Sequence, residues 1–106
     1  MEAETVQMTT TLSEHVATIT IAGDFDVAVA YRPYEEMVAL VDSGGLSRVV
    51  LDCAGVTFAD STALAMLLRM REHGRDTAIA FEIRNASAAV RRLLEITALA
   101  GDFDLR

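Results

Sequence analysis

The chain has 106 residues, of which 52% are hydrophobic and 24% charged, and its formal net charge is −7. This length and composition are typical of one folded domain with a single core, and we expect residues 1–106 to form it. Acidic residues outnumber arginines by 16 to 9, and lysine is absent from the sequence. This balance argues against nucleic acid or an anionic membrane surface as a partner, because both attract clustered basic side chains.

The sequence contains no pattern typical of a membrane span or of an oxidising compartment. Its longest strictly apolar run, Ala63–Leu68, is far shorter than the ~20 residues of a membrane helix. Met1 is followed by Glu2 and Glu4, which does not fit a signal peptide. The single Cys53 excludes an internal disulfide, and its apolar surroundings predict a small buried thiol. These features predict a cytoplasmic protein.

The first two segments predict an antiparallel hairpin. Thr5–Thr11 has the composition of a weak edge strand. His15–Ala22 alternates apolar and polar residues, as a strand with one buried face does. Ser13 and Glu14 supply the turn between them.

The third segment predicts a helix. Gly23–Asp26 is expected to end the preceding strand, and Ser43–Gly45 is expected to end the helix. Apolar residues at helical spacing place the regular helix at about Arg32–Asp42. Val27–Tyr31 stays undecided, because Pro33 belongs in a first helical turn.

The next two segments predict a strand and a helix. Arg48–Cys53 is a short, nearly continuous apolar run, as expected of a central strand covered on both faces. Val50 and Leu51 are therefore predicted to be buried on opposite faces. A helix is predicted from about Ser61 to His73, ended by Gly74.

The last segments complete an alternating pattern. Thr77–Ile83 predicts a strand, and Ser87 is a suitable cap for a helix that runs to about Ile96. Phe103–Leu105 predicts a last short strand. The resulting order, β-β-α-β-α-β-α-(β), predicts an α/β domain with a mixed sheet of four or five strands and crossover helices.

Patterns that would indicate catalysis or metal binding are missing from the sequence. His15 and His73 are isolated, no glycine-rich phosphate loop follows a strand, and no nucleophile elbow surrounds Ser61. Asp24 and Asp26 form a carboxylate pair that fits a cation, but aspartates in a loop more often form turns and caps. We therefore expect no catalytic residue, no metal and no other cofactor.

The predicted helix that starts at Ser61 has an unusually wide apolar face. Its apolar residues span an arc of about 200°, whereas packing on one sheet face needs a little over 100°. These residues are Ala63, Leu64, Met66, Leu67, Leu68 and Met70. Leu64 and Leu67 are predicted core residues, while Met66 and Met70 are candidates for a partner-binding edge. The alternative is that both methionines pack against a neighbouring helix.

The start of the same helix offers a candidate modification site. Asp60 is a natural N-cap, which leaves Ser61 and Thr62 in the first turn. Ser61 is then an exposed hydroxyl at the positive end of the helix dipole, where a phosphate would meet free backbone N–H groups, although Asp60 opposes it. The alternative is that the three residues are only a capping segment.

Four motifs, in order and at matching spacing, resemble STAS domains of the anti-sigma factor antagonist family over essentially the whole chain. They are Gly23–Asp26, Val49–Asp52 with Gly55–Phe58, Asp60–Leu64 and Val90–Leu99. Gly23–Asp26 is similar to the family's G-E-L-D turn, and Asp60–Leu64 is similar to its D-S-[ST]-G-L signature. The resemblance implies a single STAS-type domain with the element order predicted above.

The resemblance also implies a function. The serine after the signature aspartate accepts phosphate from an anti-sigma factor that is itself a serine kinase, and that residue is Ser61 here. The unphosphorylated form binds the kinase and frees a sigma factor, phosphorylation ends the binding, and a phosphatase resets the protein. Around Ser61, the expected partner-binding residues are Asp24, Asp26, Asp60, Thr62, Ala63, Met66 and Met70. We expect a monomer or a weak dimer.

The sequence departs from the family pattern at Ala63 and Ala65, where the family usually has glycine. A methyl group at these positions obstructs the close approach of a partner backbone. An alternative function is therefore a STAS scaffold that is not phosphorylated, as in lipid-transport or stressosome-like assemblies. A hydrolase that uses Ser61 is a weaker alternative, because it needs a nearby histidine or lysine that the sequence does not offer locally.

Overall fold

The computed structural model describes residues 6–97 and 103–105, which form one five-stranded sheet with three helices. The elements are β1 (Val6–Ser13), β2 (Val16–Phe25), α1 (Tyr31–Asp42), β3 (Arg48–Ala59), α2 (Ser61–Thr77), β4 (Ala80–Arg84), α3 (Ala88–Ile96) and β5 (Asp104–Leu105). The strand order is β1-β2-β3-β4-β5, with β1 antiparallel to β2 and all other neighbours parallel. The predicted α/β class, element order and initial hairpin are confirmed.

The two strands of the hairpin differ from their predicted bounds. β1 extends to Ser13 rather than Thr11, and Thr5 lies outside the described residues. β2 ends within Gly23–Asp26, as predicted, but it continues to Phe25, three residues beyond the predicted Ala22. Phe25 is fully buried and pairs with Ala59, and its burial carries the strand past the polar Asp24.

β3 is longer than the predicted Arg48–Cys53 and is irregular in its second half. Arg48 to Asp52 pairs with both β2 and β4, whereas the rest of β3 pairs with β2 up to Ala59. The register between β2 and β3 shifts twice, once between Thr20 and Ala22 and once between Gly23 and Asp24. Such bulges bend a strand and change the direction of its side chains. They occur where β2 and β3 approach the start of α2.

The core lies on one face of the sheet. Ile19 and Leu51 on that face are fully buried together with Met37 of α1 and Leu67 of α2. Val50 is also fully buried but lies outside this cluster, since successive strand residues point to opposite faces. The predictions that Val50 and Leu51 are buried on opposite faces, and that β3 is covered on both faces here, are confirmed, although the hydrophobic core cluster lies on the face of Leu51 only.

On the second face of the sheet, Val50 lies beside a charged cluster. Val50 pairs in register with Thr18 on one side and with Glu82 on the other. Glu82 is buried, and its carboxylate accepts from Arg48 at 2.9 Å and from Arg84 at 3.0 Å. Because both oxygens of Glu82 are paired, this charge is compatible with burial beside Val50.

α1 begins within one residue of its predicted start. The undecided segment forms a turn in which the Asp26 carbonyl accepts from the N–H groups of Val29 at 3.0 Å and Ala30 at 2.7 Å. α1 then starts at Tyr31, with Pro33 buried in its first turn, where a missing N–H costs no helical hydrogen bond.

The predicted end of α2 at Gly74 is wrong. α2 continues to Thr77, and Gly74 is a buried residue inside it. A Cβ at Gly74 would lie 2.6 Å from the carbonyl oxygen of Ile79, so glycine is needed for close packing rather than for helix termination. Ala78 ends the helix with a left-handed φ of 60°, and β4 starts at Ala80 instead of Thr77.

The last two elements agree with their predictions. The hydroxyl of Ser87 accepts from the N–H of Val90 at 3.3 Å and caps α3, which ends at Ile96. Phe103 is buried, and the short β5 that follows it pairs with β4. The motif Val90–Leu99 ends in residues outside the described part of the chain.

Candidate functional site

Asp60 fixes the start of α2. Its backbone is extended, and its Oδ1 accepts from the N–H groups of Thr62 and Ala63, each at 3.0 Å. This geometry confirms the predicted N-cap, and it satisfies two of the amides that a helix start leaves without partners.

The second oxygen of Asp60 joins another loop to the helix start. Oδ2 accepts from the N–H of Val27 at 3.2 Å. Val27 belongs to the turn between β2 and α1, so one carboxylate connects this turn to the first residues of α2. The sequence predicted Asp60 as a cap and as a partner-binding residue but did not predict this bond, because a contact between positions 33 residues apart leaves no local signal.

The side chains of Asp24 and Asp26 both accept hydrogen bonds within the domain. Oδ1 of Asp26 accepts from the N–H of Ala28 at 3.1 Å, and Oδ1 of Asp24 accepts from the hydroxyl of Thr57 at 3.4 Å. The bond of Asp26 agrees with the turn-forming interpretation, whereas Asp24 lies within β2 and its bond crosses to β3. Within residues 6–97 and 103–105, no group of three or more His, Cys, Asp or Glu side chains is placed to hold a metal ion.

Ser61 is the exposed first residue of α2. Ala65 and Arg69, which follow at intervals of four, are exposed on the same side of the helix. The expectation that a phosphate here meets free amides is wrong for Thr62 and Ala63, since Asp60 already accepts from both. A phosphate on Ser61 would therefore remain an exposed charge at the surface.

Two expected partner-binding residues are buried. Ala63 and Met70 are 0% exposed and belong to the core cluster, so neither side chain is available to a partner in this structure. Thr62 and Met66 are half-buried and remain partly accessible. Because the Ala63 methyl lies in the core, it does not obstruct a partner. Of the two alanines that replace the family's usual glycines, only Ala65 is exposed.

Packing against neighbouring elements explains the wide apolar face of α2. Leu67 is fully buried, as predicted, whereas Leu64 is only half-buried against the core. On the side of α1, the ring of His73 meets that of Tyr34 edge-on, with centroids 6.3 Å apart. On another side, the Arg71 guanidinium lies 5.2 Å from the centroid of Phe103. The helix therefore packs on more than the sheet, which accounts for an arc wider than one stripe.

Exposed apolar residues near Ser61 were missed by the sequence analysis. Val27 is 70% exposed, Phe58 50% and Ile96 76%. Phe58 and Ile96, together with Arg92, line a groove of about 280 Å³ between the end of β3 and α3. The groove was missed because the predicted strand ended at Cys53, whereas β3 continues to Ala59 and so includes Phe58. The available signal was an aromatic residue two positions before the N-cap.

Cys53 is a buried thiol, as predicted. It is 0% exposed, and burial, with a smaller contribution from the charge of Asp52, raises its pKa from 9.0 to about 12. At neutral pH the thiol is protonated and is a poor nucleophile.

No helix in the described part of the chain is long and apolar enough to cross a membrane.

The comparisons with known proteins agree with this geometry. Residues 8–106 match the family model described as "Mlab, STAS domain". A STAS-domain containing protein of Pseudomonas aeruginosa strain UCBPP-PA14 is 35% identical over 82 residues, which cover 76% of this chain and 77% of that protein. The chain belongs to the STAS domain family. The STAS domain suggested by the four motifs is thus confirmed.

Solved structures of three other proteins have the same fold. An anti-sigma factor antagonist from Mycobacterium paratuberculosis matches with a TM-score of 0.79 at 24% identity, covering 94% of this chain and 84% of that one. SpoIIAA in its unphosphorylated form matches with a TM-score of 0.79 at 14% identity, covering 94% and 88%. An RsbS variant from Moorella thermoacetica matches with a TM-score of 0.79 at 13% identity, covering 94% and 86%. At these identities the likeness concerns the fold.

Proposed function

We propose that this STAS domain is a cytoplasmic anti-sigma factor antagonist that acts by binding and catalyses no reaction itself. Its unphosphorylated form binds an anti-sigma factor kinase, which releases a sigma factor. Phosphorylation of Ser61 by that kinase ends the binding, and a phosphatase restores the first form. The observation that carries the proposal is the exposure of the Ser61 hydroxyl at a helix start that Asp60 holds in place.

The proposed contact area, which we call the switch surface, surrounds Ser61. It consists of Asp24, Asp26, Val27, Phe58, Asp60, Ser61, Thr62, Ala65 and Met66. The hydrogen bond between Asp60 and Val27 keeps the two loops of this surface together. Exposed Val27 and Phe58 supply apolar area, as is common where a protein binds another protein. The three aspartates favour a partner with a basic surface at this position.

The hydrogen bonds of Asp60 favour a mechanism in which the charge of the phosphate, rather than a change of fold, releases the partner. A phosphate adds roughly −1.5 to −2 charges at neutral pH. Since the amides of Thr62 and Ala63 already donate to Asp60, the phosphate does not gain these bonds within the domain. Its charge is instead added to an acidic surface, where a bound partner would have to desolvate it. We therefore expect the phosphorylated domain to keep its fold and lose its partner.

Mass spectrometry after incubation with ATP and a kinase-type anti-sigma factor from the same organism tests the acceptor. The wild type and the Thr62→Ala variant should each gain one phosphate, and Ser61→Ala should gain none. Thr62→Ala is the matched control, because it removes the neighbouring hydroxyl from the same helix turn. Phosphate on Thr62, or on no residue, would contradict the assignment of Ser61.

A second candidate function is that of an unphosphorylated STAS subunit in a larger assembly, such as a lipid-transport or stressosome-like complex. One observation favours it: Asp60 already accepts from the amides of Thr62 and Ala63, which would otherwise be free to stabilise a phosphate. The same switch surface would then bind a permanent partner. In this case ATP would not change the binding of the wild type, and Ser61→Ala would bind as the wild type does.

A further inference from the structure

The two edges of the sheet are very different. β5 forms one edge and has two residues, whereas β1 forms the other and has eight. Proteins commonly limit pairing between edges by keeping edge strands short. β5 follows this rule within the described residues, and β1 does not.

β1 also lacks the other features that prevent edge pairing. Gln7–Ser13 contains no charged residue and no proline, in a chain that is 24% charged. The register between β1 and β2 continues without a shift through all their paired residues, so no bulge bends this edge away. Edge strands usually carry at least one of these protective features. About half of the backbone N–H and C=O groups of such a strand point away from its neighbour.

The sequence of β1 is nearly symmetric about Thr10. It reads Met8-Thr9-Thr10-Thr11-Leu12. If two copies pair antiparallel with a two-fold axis at Thr10, Thr9 lies opposite Thr11 of a second copy, and Met8 lies opposite Leu12. Thr–Thr pairs and apolar pairs are both favourable across antiparallel strands. The pairing would also cover Leu12, which is 64% exposed.

We propose that β1 pairs with β1 of a second copy of this chain, so that the two sheets become continuous across a two-fold axis at Thr10. Each copy carries a net charge of −7, and two copies therefore repel one another over most of their surfaces. Gln7–Ser13 is uncharged, so pairing there places no acidic residues directly opposite each other. This proposal does not depend on the proposed function, because β1 contributes no residue to the switch surface.

Glu36 limits the strength of the proposed dimer. Its carboxylate accepts from the hydroxyl of Thr10 at 2.7 Å, so the two-fold axis brings one such carboxylate from each copy toward the interface. Salt weakens the repulsion between exposed charges, and at 0.1 M the repulsion is largely screened beyond about 10 Å. We expect a weak dimer whose dissociation constant falls as the salt concentration is raised.

Sedimentation equilibrium of the full chain and of two glutamate variants tests the interface. Thr9→Glu places a charge on the edge strand, and Thr20→Glu is the matched control, because Thr20 is the exposed partner of Thr9 on β2. The dissociation constant should rise about tenfold or more for Thr9→Glu and change by less than about twofold for Thr20→Glu. Circular dichroism and urea midpoints verify that both variants fold.

Disulfide formation tests the register. A mixture of Thr9→Cys and Thr11→Cys chains should form cross-linked dimers under mild oxidation, faster than either chain alone and faster than Thr20→Cys. Cys53 does not interfere, since it is buried. The proposal is overturned if the wild type is monomeric at all salt concentrations, or if both glutamate variants weaken the dimer equally. It is also overturned if the chains sediment as a dimer but the mixture of Thr9→Cys and Thr11→Cys chains forms no disulfide between them.

Discussion

Two stripes of α2 differ in burial although they lie on the same helix. The buried stripe consists of Ala63, Leu67, Met70 and Gly74. The exposed stripe begins with Ser61, Ala65 and Arg69. The first stripe packs α2 against the core, so substitutions there disturb the packing. The second stripe can gain or lose charge without disturbing that packing. Substitutions in the buried stripe should therefore change stability, and substitutions in the exposed stripe should change binding.

The largest effect is expected from truncating the buried stripe. Leu67→Ala and Met70→Ala should each lower the free energy of unfolding by roughly 2–5 kcal/mol, because both side chains are fully buried and leave a cavity. Arg69→Ala is the control between them and should lower the free energy of unfolding by about 1 kcal/mol or less, since Arg69 is exposed and its guanidinium lies 6.0 Å from the centroid of the Tyr34 ring. Urea unfolding measures all three. A much smaller loss for Met70→Ala would restore Met70 to a partner-facing edge.

A smaller loss is expected from adding a methyl group to the same stripe. Gly74→Ala removes the unfavourable helix propensity of glycine but places a Cβ 2.6 Å from the Ile79 carbonyl. We expect a net destabilisation of about 1–3 kcal/mol, as for other overpacked sites. Thermal or urea unfolding measures it. A stabilised Gly74→Ala protein would show that the chain after α2 shifts readily and that Gly74 serves no packing role.

Removing the N-cap of α2 should destabilise the protein less than Gly74→Ala does. Asp60→Ala should lower the free energy of unfolding by about 0.5–2 kcal/mol through loss of the bonds to Thr62 and Ala63. Ser87→Ala removes a single capping bond from α3 and is the matched control, with a smaller expected loss. Hydrogen exchange of the Val27 amide should also accelerate in Asp60→Ala. Unchanged exchange would contradict the connection between the two loops.

The buried thiol of Cys53 makes a pH-dependent contribution to the free energy of unfolding. Because burial raises the pKa of Cys53 from 9.0 to about 12, the folded protein keeps its proton at pH values where the unfolded chain loses it. This contribution is fully present below about pH 9 and should be lost as the pH rises toward 12. Cys53→Ala, compared with the wild type in urea melts from pH 7 to 10, should lack this additional decline. Parallel pH curves would contradict it.

Local sequence signals predicted the helix starts and the order of elements. Asp60 and Ser87 each cap the helix that follows, and capping depends on residues three or fewer positions apart. The ends of β2 and β3 were wrong because bulges and small residues interrupt the alternation that marks a strand. Gly74 was taken for a stop signal because a sequence does not show which distant backbone, here Ile79, approaches it.

For the candidate site, the sequence predicted the N-cap formed by Asp60 and the exposure of Ser61, but it did not predict the burial of Met70. Ser61 and Asp60 were identified from their position at a helix start. Met70 was assigned to a partner edge because a helical projection shows which residues share a face, but not how many neighbours cover that face. Val27 was missed because its contact with Asp60 is formed only by the tertiary fold.

The central claim is that a negative charge at Ser61 changes binding without changing the fold. The direct test is calorimetric binding of the wild type and Ser61→Glu to the cognate anti-sigma factor kinase, with the free energy of unfolding measured in parallel. Ser47→Glu is the control, because Ser47 is an exposed serine beyond the opposite end of β3. The free energy of unfolding of Ser61→Glu should lie within about 0.5 kcal/mol of that of the wild type. Ser61→Glu should nevertheless bind the kinase at least about tenfold more weakly, whereas Ser47→Glu should bind it as tightly as the wild type does. Tight binding by Ser61→Glu, or equal weakening by both variants, would contradict the account.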